Sequence, residues 1–328
     1  MKTVYIKAFG GSENLEIREV ADPTGPTSSE VLIRVRAAGL NRADLLQRQG
    51  RYPPPAGYSP NIPGLEFAGE VVEAASDVVG FKTGDRVFGI TAGEAQAELL
   101  KIDHRVLTII PDNLSFTEAA AVPEVFITAH DAVFTQGNLK HGETLLVHAV
   151  GSGVGLAALQ LGKANGNRVF GTSRTEDKLD RCREFGLDEA FVVGSNTDFA
   201  DAVFAKTDDR GVDVILDLVG GAYFEQNLKS LGLQGRLMLV GLTAGREARI
   251  DLGMTLSKRL KLIGTTLRAR AIEEKADATR AFSTEVVPLL ASGRLRPNVD
   301  RVFEFKDVRA AHEYLESNES FGKVVLEF

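Results

Sequence analysis

The stretch TLLVHAVGSGVGLAALQLGKANG, residues 144–166, decides the fold of this chain. An apolar run leads directly into the turn GSGVG (151–155), and a segment of small and apolar residues typical of a helix follows it. Glycines at a strand-to-helix turn let the backbone approach a pyrophosphate, and free N–H groups at the helix N-terminus favour its negative charge. Because Leu156 stands where the pattern GxGxxG has its third glycine, the turn alone is equally typical of one that binds nothing.

The residues after this turn favour the binding interpretation, because apolar runs alternate with amphipathic helices from Thr144 onward. Strict alternation, with strands that are apolar throughout, predicts a parallel sheet covered on both faces. Six strands match a doubly wound, dinucleotide-binding α/β fold. The predicted strands are 144–149, 168–172, 190–193, 212–217, 236–240 and 260–264, and the predicted helices are 154–165, 175–185, 197–206, 222–231 and 251–258.

The segment before the turn has a different pattern. Alternating residues at 31–37, 66–72 and 86–90 predict short strands of an antiparallel, barrel-like region that ends near residue 123. The Pro- and Gly-rich run 51–64 predicts an ordered surface loop.

The residues after the parallel sheet return to mixed strand and helix character. They predict two helices, 272–292 and 307–317, and two strands, 301–305 and 323–328. We expect this tail to pack on the N-terminal region. The expected domains are therefore a discontinuous one, residues 1–123 with 290–328, and a continuous one, residues 124–289.

Composition narrows the class of protein. The 328 residues are 44% apolar and 25% charged, which predicts a folded, soluble chain of about two domains. A net charge of −7, without a cluster of basic residues interleaved with aromatics, argues against nucleic-acid partners. The apolar stretch 145–161 is interrupted by three glycines and predicts no membrane span.

Reactive motifs are few. The single cysteine, Cys182, excludes an internal disulfide and a thiolate zinc cage, and it fits a reducing, cytoplasmic compartment. The sequence holds no HExxH, CxxC or GxSxG motif, so redox chemistry must come from a nicotinamide cofactor. His148, beside the glycine turn, is typical of a core or loop-bracing histidine rather than a base.

The end of the second predicted strand indicates which nicotinamide cofactor is used. An NAD site places Asp or Glu there to bind the ribose 2′-OH, whereas this chain reads GTSRTEDK over 171–178. Arg174 can bind a 2′-phosphate through two hydrogen bonds, and Lys178 adds a positive charge. The sequence thus predicts NADPH. The alternative is a solvated, capped helix start whose Glu176 and Asp177 suit the helix dipole.

Six stretches also carry a family resemblance: GLNRADLLQRQGRY (39–52), PGLEFAGEV (63–71), GDRVFG (84–89), VPEVFITAHDAV (122–133), HAVGSGVG (148–155) and GKVVLEF (322–328). They resemble, in the family's order and over nearly the whole chain, the quinone oxidoreductases of the medium-chain dehydrogenase/reductase superfamily. They are most similar to the zinc-free zeta-crystallin-like branch and its tumour-suppressor-inducible NADPH:quinone oxidoreductase subgroup. Zinc-dependent relatives read GHE where this chain has Leu65 between Gly64 and Glu66, so the resemblance implies no metal.

The resemblance implies a fold and a site. A GroES-like, mostly antiparallel β-barrel catalytic domain is expected beside a Rossmann domain with a doubly wound, six-stranded parallel sheet. Asn41 and Tyr52 would border the quinone as the catalytic residues. The cofactor-binding residues would be Thr128, Ser152, Gly153, Val154, Ser173, Arg174, Lys178, Gly241, Leu242, Leu267 and Lys323. Relatives carry tyrosines where this chain has Leu46 and Gly194, and Arg174 replaces a glycine of theirs.

The expected activity is zinc-independent hydride transfer from NADPH to a quinone, because positioning an electrophilic ring against the nicotinamide supplies most of the rate. Tyr52 or Asn41 would hydrogen-bond the carbonyl oxygen as it gains charge. Reduction of an enal or enone is the alternative within enzymes, and a non-enzymatic NADPH-binding protein is the alternative outside them. The resemblance also implies a homodimer that joins the Rossmann sheets through the strand near 260–264.

Overall fold

The computed structural model describes residues 1–194 and 198–328. Within it the chain forms two compact units, Met1–Ile127 with Leu267–Phe328, and Thr128–Thr266. These boundaries differ from the predicted ones at 123/124 and 289/290, because the helix that begins at Ile272 packs within the first unit, where Phe282 contacts Phe88 edge to face.

The N-terminal part of the first unit consists of short strands and short helices, as the alternating pattern predicts. In chain order these are β1 (Lys2–Ile6), β2 (Leu15–Glu19), β3 (Glu30–Leu40), α1 (Arg42–Arg48), β4 (Glu66–Ala74), β5 (Arg86–Ile90), β6 (Leu99–Asp103), β7 (Leu107–Ile109), α2 (Phe116–Ala119) and α3 (Pro123–His130). Strands β1 and β2 form a separate antiparallel pair. Proline suits the first position of α3, where its missing N–H has no partner to lose.

The second unit is the predicted doubly wound layer. After a π-helix, Asp131–Gln136, come β8 (Thr144–Val147), α4 (Gly153–Ala164), β9 (Arg168–Ser173), α5 (Glu176–Arg183), β10 (Glu189–Val192), α6 (Ala200–Ala205), β11 (Val212–Asp217), α7 (Phe224–Ser230), β12 (Leu231–Leu239), α8 (Leu252–Ser257) and β13 (Lys261–Gly264). The six strands are parallel, in the order β10-β9-β8-β11-β12-β13. The prediction of this sheet is confirmed. The predicted start of a helix at Thr197 lies outside the described residues.

The C-terminal tail completes the first unit with α9 (Ile272–Glu285), α10 (Val287–Ala291), β14 (Val299–Glu304), α11 (Val308–Glu316) and β15 (Lys323–Glu327). The prediction of one helix over 272–292 is wrong, because Pro288 lacks a backbone N–H and a second helix starts beside it. Strand β15 pairs antiparallel with β3, so that Val324 lies opposite Leu40.

The large sheet of the first unit has the order β14-β15-β3-β4-β5-β7, with β6 also paired to β3. All its pairs are antiparallel except β14 with β15, which confirms the mostly antiparallel region. A core of apolar side chains joins the two ends of the chain and includes Ile6, Leu45, Ala311 and Val324. Among the described residues, no helix combines the length and apolar character needed to cross a membrane.

Candidate active site

The glycine turn occupies the carboxyl edge of the parallel sheet, where ligands bind in such folds. Ser152 caps α4, because its Oγ accepts a hydrogen bond from the Gly155 N–H at 3.2 Å. A Cβ atom on Gly155 would lie 2.5 Å from the carbonyl oxygen of Ala149, so a larger residue cannot fit without displacing the turn. Ser152, Gly153 and Val154 are partly exposed, which leaves the helix N-terminus accessible to an anion.

A buried network of hydrogen-bonded side chains lies next to this turn and supports it. His148 is fully buried and contacts Thr172 Oγ1 at 2.9 Å through Nδ1 and Asn227 Oδ1 at 2.6 Å through Nε2. Asn227 Nδ2 donates to Asp217 Oδ2 at 2.9 Å, and Asp217 Oδ1 accepts the N–H groups of Val219 and Gly220.

These hydrogen bonds determine which ring nitrogen of His148 carries a proton. Since the Asn227 amide nitrogen faces Asp217, its oxygen accepts from His148 Nε2–H, and Nδ1 accepts the hydroxyl proton of Thr172. Burial lowers the pKa of His148, against the opposing charge of Asp217. The imidazole is therefore neutral and structural, and it joins the ends of β8, β9 and β11.

The segment after β9 presents the residues predicted to select the cofactor. Ser173 is buried at the strand end, and its Oγ accepts from the Thr175 N–H at 3.4 Å. Arg174 is exposed, and Lys178 is partly exposed in α5. Burial raises the pKa of Tyr223, and the Arg174 charge opposes that shift. The segment after β9 thus presents two cations, Arg174 and Lys178, beside the carboxylates Glu176 and Asp177.

Two more predicted cofactor residues follow β12 at the same sheet edge. The Gly241 N–H donates to the carbonyl of Asp217 at 3.1 Å, and a Cβ atom on Gly241 would lie 2.6 Å from the Leu218 carbonyl oxygen. Leu242 is 56% exposed. Thr128 is partly exposed on α3, within the second unit. Leu267 and Lys323 belong to the first unit, where both side chains are buried.

In the first unit, Asn41 belongs to a buried ionic cluster. The ammonium of Lys323 contacts Glu66 Oε1 at 2.6 Å, Asn41 Oδ1 at 2.7 Å and the Leu40 carbonyl at 2.5 Å. Asn41 Nδ2 in turn donates to Glu66 Oε1 at 2.8 Å. Glu66 and Lys323 are 0% and 4% exposed, so the cation neutralises a carboxylate that has no access to water.

A second carboxyl, Asp44, closes the start of α1. It accepts the Asn41 N–H at 2.7 Å and the Gly64 N–H at 2.9 Å. Burial raises the pKa of Asp44 to about 6, although both hydrogen bonds favour the charged form. Asp44 thereby holds the backbone in place at Asn41 and at Gly64, the two segments that lie beside the buried ionic cluster.

Arg268 holds the loop that carries Tyr52. Its guanidinium donates to the Tyr52 carbonyl at 2.9 Å, to the Ala92 carbonyl at 2.7 Å and to Gln47 Oε1, and it lies 4.9 Å from the centre of the Tyr52 ring. Burial lowers the pKa of Arg268. Tyr52 is partly exposed, and Arg268 holds its backbone carbonyl.

Glu124, on the first turn of α3, adds a third carboxyl to this cluster. Its backbone N–H donates to Glu66 Oε2 at 2.9 Å. Burial, together with the nearby Glu66 carboxylate, raises the pKa of Glu124 to about 8. Lys275 of α9 is buried close by, and burial lowers its pKa.

Sequence reasoning missed Glu66, Glu124, Arg268 and Asp44 as site residues. A partial signal exists for Glu66 and Glu124, since each interrupts an apolar run, GLEFAG or AVPEVF, where a buried charge requires a reason. Arg268 carries no such signal. Within the described parts of the chain, no group of three or more His, Cys, Asp or Glu side chains is placed to hold a metal ion.

Two family descriptions match this chain. "Alcohol dehydrogenase GroES-like domain" matches residues 27–132, and "Zinc-binding dehydrogenase" matches residues 153–284. Among curated proteins, the quinone oxidoreductase of Pseudomonas aeruginosa is 33% identical over 99% of both chains. Acryloyl-coenzyme A reductase of Metallosphaera sedula is also 33% identical, again over 99% of both chains.

A further relative is much larger than this chain. The spectinabilin polyketide synthase system protein NorB of Streptomyces orinoci is 35% identical over 94% of this chain, which corresponds to 13% of NorB. Among solved structures, the Escherichia coli quinone oxidoreductase complexed with NADPH has a TM-score of 0.89 and 29% identity, with all of both chains covered. An NAD-dependent alcohol dehydrogenase has a TM-score of 0.88 and 31% identity, also with full coverage.

Proposed function

We propose, since this chain belongs to the medium-chain dehydrogenase/reductase superfamily, that it is an oxidoreductase that transfers hydride from NADPH to a quinone without zinc. The observation that carries this proposal is the sheet edge of the second unit, where a capped glycine turn follows β8 and a segment with Arg174 and Lys178 follows the neighbouring strand β9. NADPH, when bound, supplies the hydride from its nicotinamide ring.

The fit of a dinucleotide to the second unit rests on its backbone. Gly155 lets α4 begin close to the turn, so the N–H groups of Gly153 and Val154 would contact the pyrophosphate. Ser173, Arg174 and Lys178 would bind the 2′-phosphate, since an arginine fork suits a phosphate and no carboxylate ends β9. This arrangement favours NADPH over NADH.

We propose that this site binds no zinc, because the side chains at and around Leu65 are unsuitable as zinc ligands. Leu65 is apolar and buried, and the ammonium of Lys323 already neutralises Glu66 beside Asn41. A metal ion would find no donor atom at Leu65, and the neighbouring Glu66 carboxylate is already paired with the competing Lys323 ammonium. The residues present therefore do not fit zinc.

The proposed acceptor is a quinone, which needs positioning more than chemical activation. We assign the carbonyl-binding role to Tyr52, which is partly exposed and whose backbone carbonyl Arg268 holds. Asn41 hydrogen-bonds both Lys323 and Glu66, so it holds the cluster against which the acceptor would lie.

An enal or enone is the second candidate acceptor, and the similarity to an acryloyl-coenzyme A reductase favours it. Hydride transfer to an activated alkene asks for the same two parts, a bound nicotinamide and a donor to the carbonyl oxygen. A non-enzymatic NADPH-binding protein remains the alternative outside enzymes.

A panel of ortho-quinones, para-quinones and enals, followed by NADPH oxidation, tests the proposal. We expect turnover with quinones and a higher kcat/KM for NADPH than for NADH. Cofactor binding without turnover on any member would contradict enzyme function. Wild-type kcat/KM in both Tyr52→Phe and Asn41→Ala would contradict the assigned roles.

Two further expectations stay proposals. We propose a homodimer joined through β13, an end strand of the parallel sheet, beside which Leu252 and Leu256 of α8 are 71% and 79% exposed. A monomer mass in light scattering would contradict it. We also propose a reducing, cytoplasmic location, consistent with the one cysteine, Cys182, whose pKa burial raises to about 12.

A further inference from the structure

Asp217 is a buried carboxylate at the end of β11 that the proposed hydride transfer does not use. Its side chain is 0% exposed, and within the described chain only N–H groups donate to it. Oδ1 accepts from the N–H groups of Val219 at 2.7 Å and Gly220 at 2.9 Å. Oδ2 accepts from Asn227 Nδ2 at 2.9 Å. Because a carboxylate accepts hydrogen bonds and donates none, it fixes the direction of every bond made to it.

The same residue holds two loops at the carboxyl edge of the parallel sheet. The carboxylate bonds the loop that follows β11, while the Asp217 carbonyl accepts the N–H of Gly241, after β12, at 3.1 Å. The two loops also bond each other, since the Ala244 N–H donates to the Val219 carbonyl at 2.8 Å. Gly241 and its exposed neighbour Leu242, both assigned to the cofactor, therefore lie on a loop that Asp217 anchors.

Through Asn227, Asp217 also controls a chain of hydrogen bonds that reaches β9. The Asn227 amide donates to Asp217, so its oxygen accepts from His148 Nε2 at 2.6 Å. Burial lowers the pKa of His148, so the neutral ring has a single N–H, and Nδ1 accepts from Thr172 Oγ1 at 2.9 Å. Thr172 precedes Ser173, which ends β9 and is assigned to the 2′-phosphate. Four side chains, each 0% exposed, thus connect both loops to this strand end.

This chain of bonds has two possible directions, and Asp217 allows only one of them. An amide at position 217 would direct its own N–H groups at Asn227 Nδ2, so that two donors would face each other. Relief requires the Asn227 amide to turn over, the proton of His148 to move to Nδ1, and the Thr172 hydroxyl to accept that N–H. The hydroxyl proton of Thr172 would then lose its acceptor inside the network.

We propose that Asp217 is the positioning residue of the cofactor site, acting on β9 through Asn227 and His148. Its carbonyl acts directly on the loop that carries Gly241. This inference rests on the proposed function, because the residues that Asp217 holds are those assigned to NADPH. Since the network supports the sheet edge as a whole, its loss should weaken NADPH and NADH alike, whereas loss of Arg174 should affect NADPH alone.

The first test exchanges the two partners and measures the Kd of both cofactors by fluorescence titration. Asp217→Asn reverses the bond direction and Asn227→Asp sets two carboxylates against each other, so each should raise both Kd values about tenfold. The double variant again pairs one amide with one carboxylate, and its Kd values should return to within about threefold of wild type. Additive losses in the double variant would overturn the proposal.

The matched control is Ser230→Ala, on the same helix as Asn227. The Ser230 hydroxyl is buried and has no hydrogen-bond partner among the described residues, so its removal should leave both Kd values unchanged. If Asp217→Asn does not fold, Thr172→Val tests the far end of the network. It should raise both Kd values about threefold, and Thr172→Ser should restore them. Wild-type affinity in Thr172→Val would contradict the proposal.

A spectroscopic measurement follows the bond direction without cofactor or substrate. In nitrogen NMR of histidine-labelled protein, His148 is one of five histidines, and its signal is assigned by its loss in His148→Gln. The proton should lie on Nε2 in the wild type and in the double variant, and on Nδ1 in Asp217→Asn. A proton on Nδ1 in the wild type would overturn the proposed direction of the network.

Two outcomes separate this role from the proposed function. A wild-type protein that binds NADPH, with an Asp217→Asn variant that binds it equally well, would overturn the positioning role alone. A wild-type protein that binds neither NADPH nor NADH would overturn the proposed function and, with it, this role.

Discussion

At the scale of single residues, the charged side chain of Arg174 is the feature that we expect to select NADPH over NADH. Arg174 is exposed at the end of β9, where a 2′-phosphate would be bound. We expect Arg174→Ala to raise the KM for NADPH about tenfold and to leave the KM for NADH unchanged, since a charge-assisted hydrogen bond contributes roughly 1.5–3 kcal/mol. Steady-state kinetics with both cofactors, and with the control Arg183→Ala on α5, measure this. Equal increases for both cofactors would contradict it.

At the same scale, sequence reasoning proposed site residues that lie within motifs and did not single out those that lie outside them. Ser152, Gly153 and Val154 lie at the start of α4, in the turn region after β8, and Gly241 follows β12, positions that the alternating pattern locates. Glu66, Glu124 and Arg268 are far apart in the sequence and meet only through the fold. Their burial and shared electrostatics depend on tertiary packing, which no local pattern records.

Among the helices and strands, α4 depends most clearly on a single glycine, Gly155 in its first turn. Gly155 has no room for a side chain, whereas an added Cβ at the exposed Gly25 would have its nearest atom, Glu73 Oε1, at 4.0 Å. We expect Gly155→Ala to destabilise the protein by about 1–3 kcal/mol and to weaken NADPH binding, because the turn must shift. Gly25→Ala should change neither the melting temperature nor cofactor affinity. Calorimetry and fluorescence titration test both, and equal behaviour of the two variants would contradict the role of Gly155.

Helix α11 carries a buried histidine that makes stability depend on pH. His312 is 0% exposed, neither ring nitrogen has a hydrogen-bond partner among the described residues, and burial with the Arg48 charge lowers its pKa to about 3. The unfolded chain, with a pKa near 6.5, binds more protons between pH 6.5 and 3, so stability falls as pH decreases through that window by about 1.4 kcal/mol per unit.

His312→Leu should therefore lose much less stability than wild type between pH 6.5 and pH 4, and the two should differ least above pH 7. Thermal melts across this range, with the exposed His141→Gln as control, measure the difference. Parallel pH profiles of the wild type and His312→Leu would show that His312 does not titrate this way.

Elements with a strong period were predictable, and weakly patterned ones were not. All six strands of the parallel sheet were located, because buried parallel strands are apolar throughout. Strands β1, β2, β6 and β7 received no bounds of their own, although short strands were expected throughout residues 1–123. Helices α9 and α10 are separate because of Pro288. One helix over 272–292 was predicted from the sequence because the helical pattern was given more weight than this proline.

For the whole molecule, Lys323 binds the last strand to the centre of the first unit. We expect Lys323→Met to cost about 3–5 kcal/mol, because Glu66 would keep its buried charge without a cation. Adding Glu66→Gln should recover part of that loss, which a double-mutant cycle from urea denaturation measures. Additive effects of the two changes would contradict direct pairing. The sequence placed this tail on the N-terminal region but gave no sign of the ion pair.

The pairing of β15 with β3 also affects the order in which parts of the chain can fold during synthesis. A ribosome releases residues 30–40 long before residues 323–327, so the edge of β3 that pairs with β15 stays unpaired while the residues between them are made. The intervening unit, Thr128–Thr266, is continuous and relies on nearer partners, which favours its earlier folding. Until Lys323 has been made, the nascent chain holds Glu66 without its cation. The proposed acceptor site therefore matures only after β15 has been synthesised, and a product truncated before β15 would lack it.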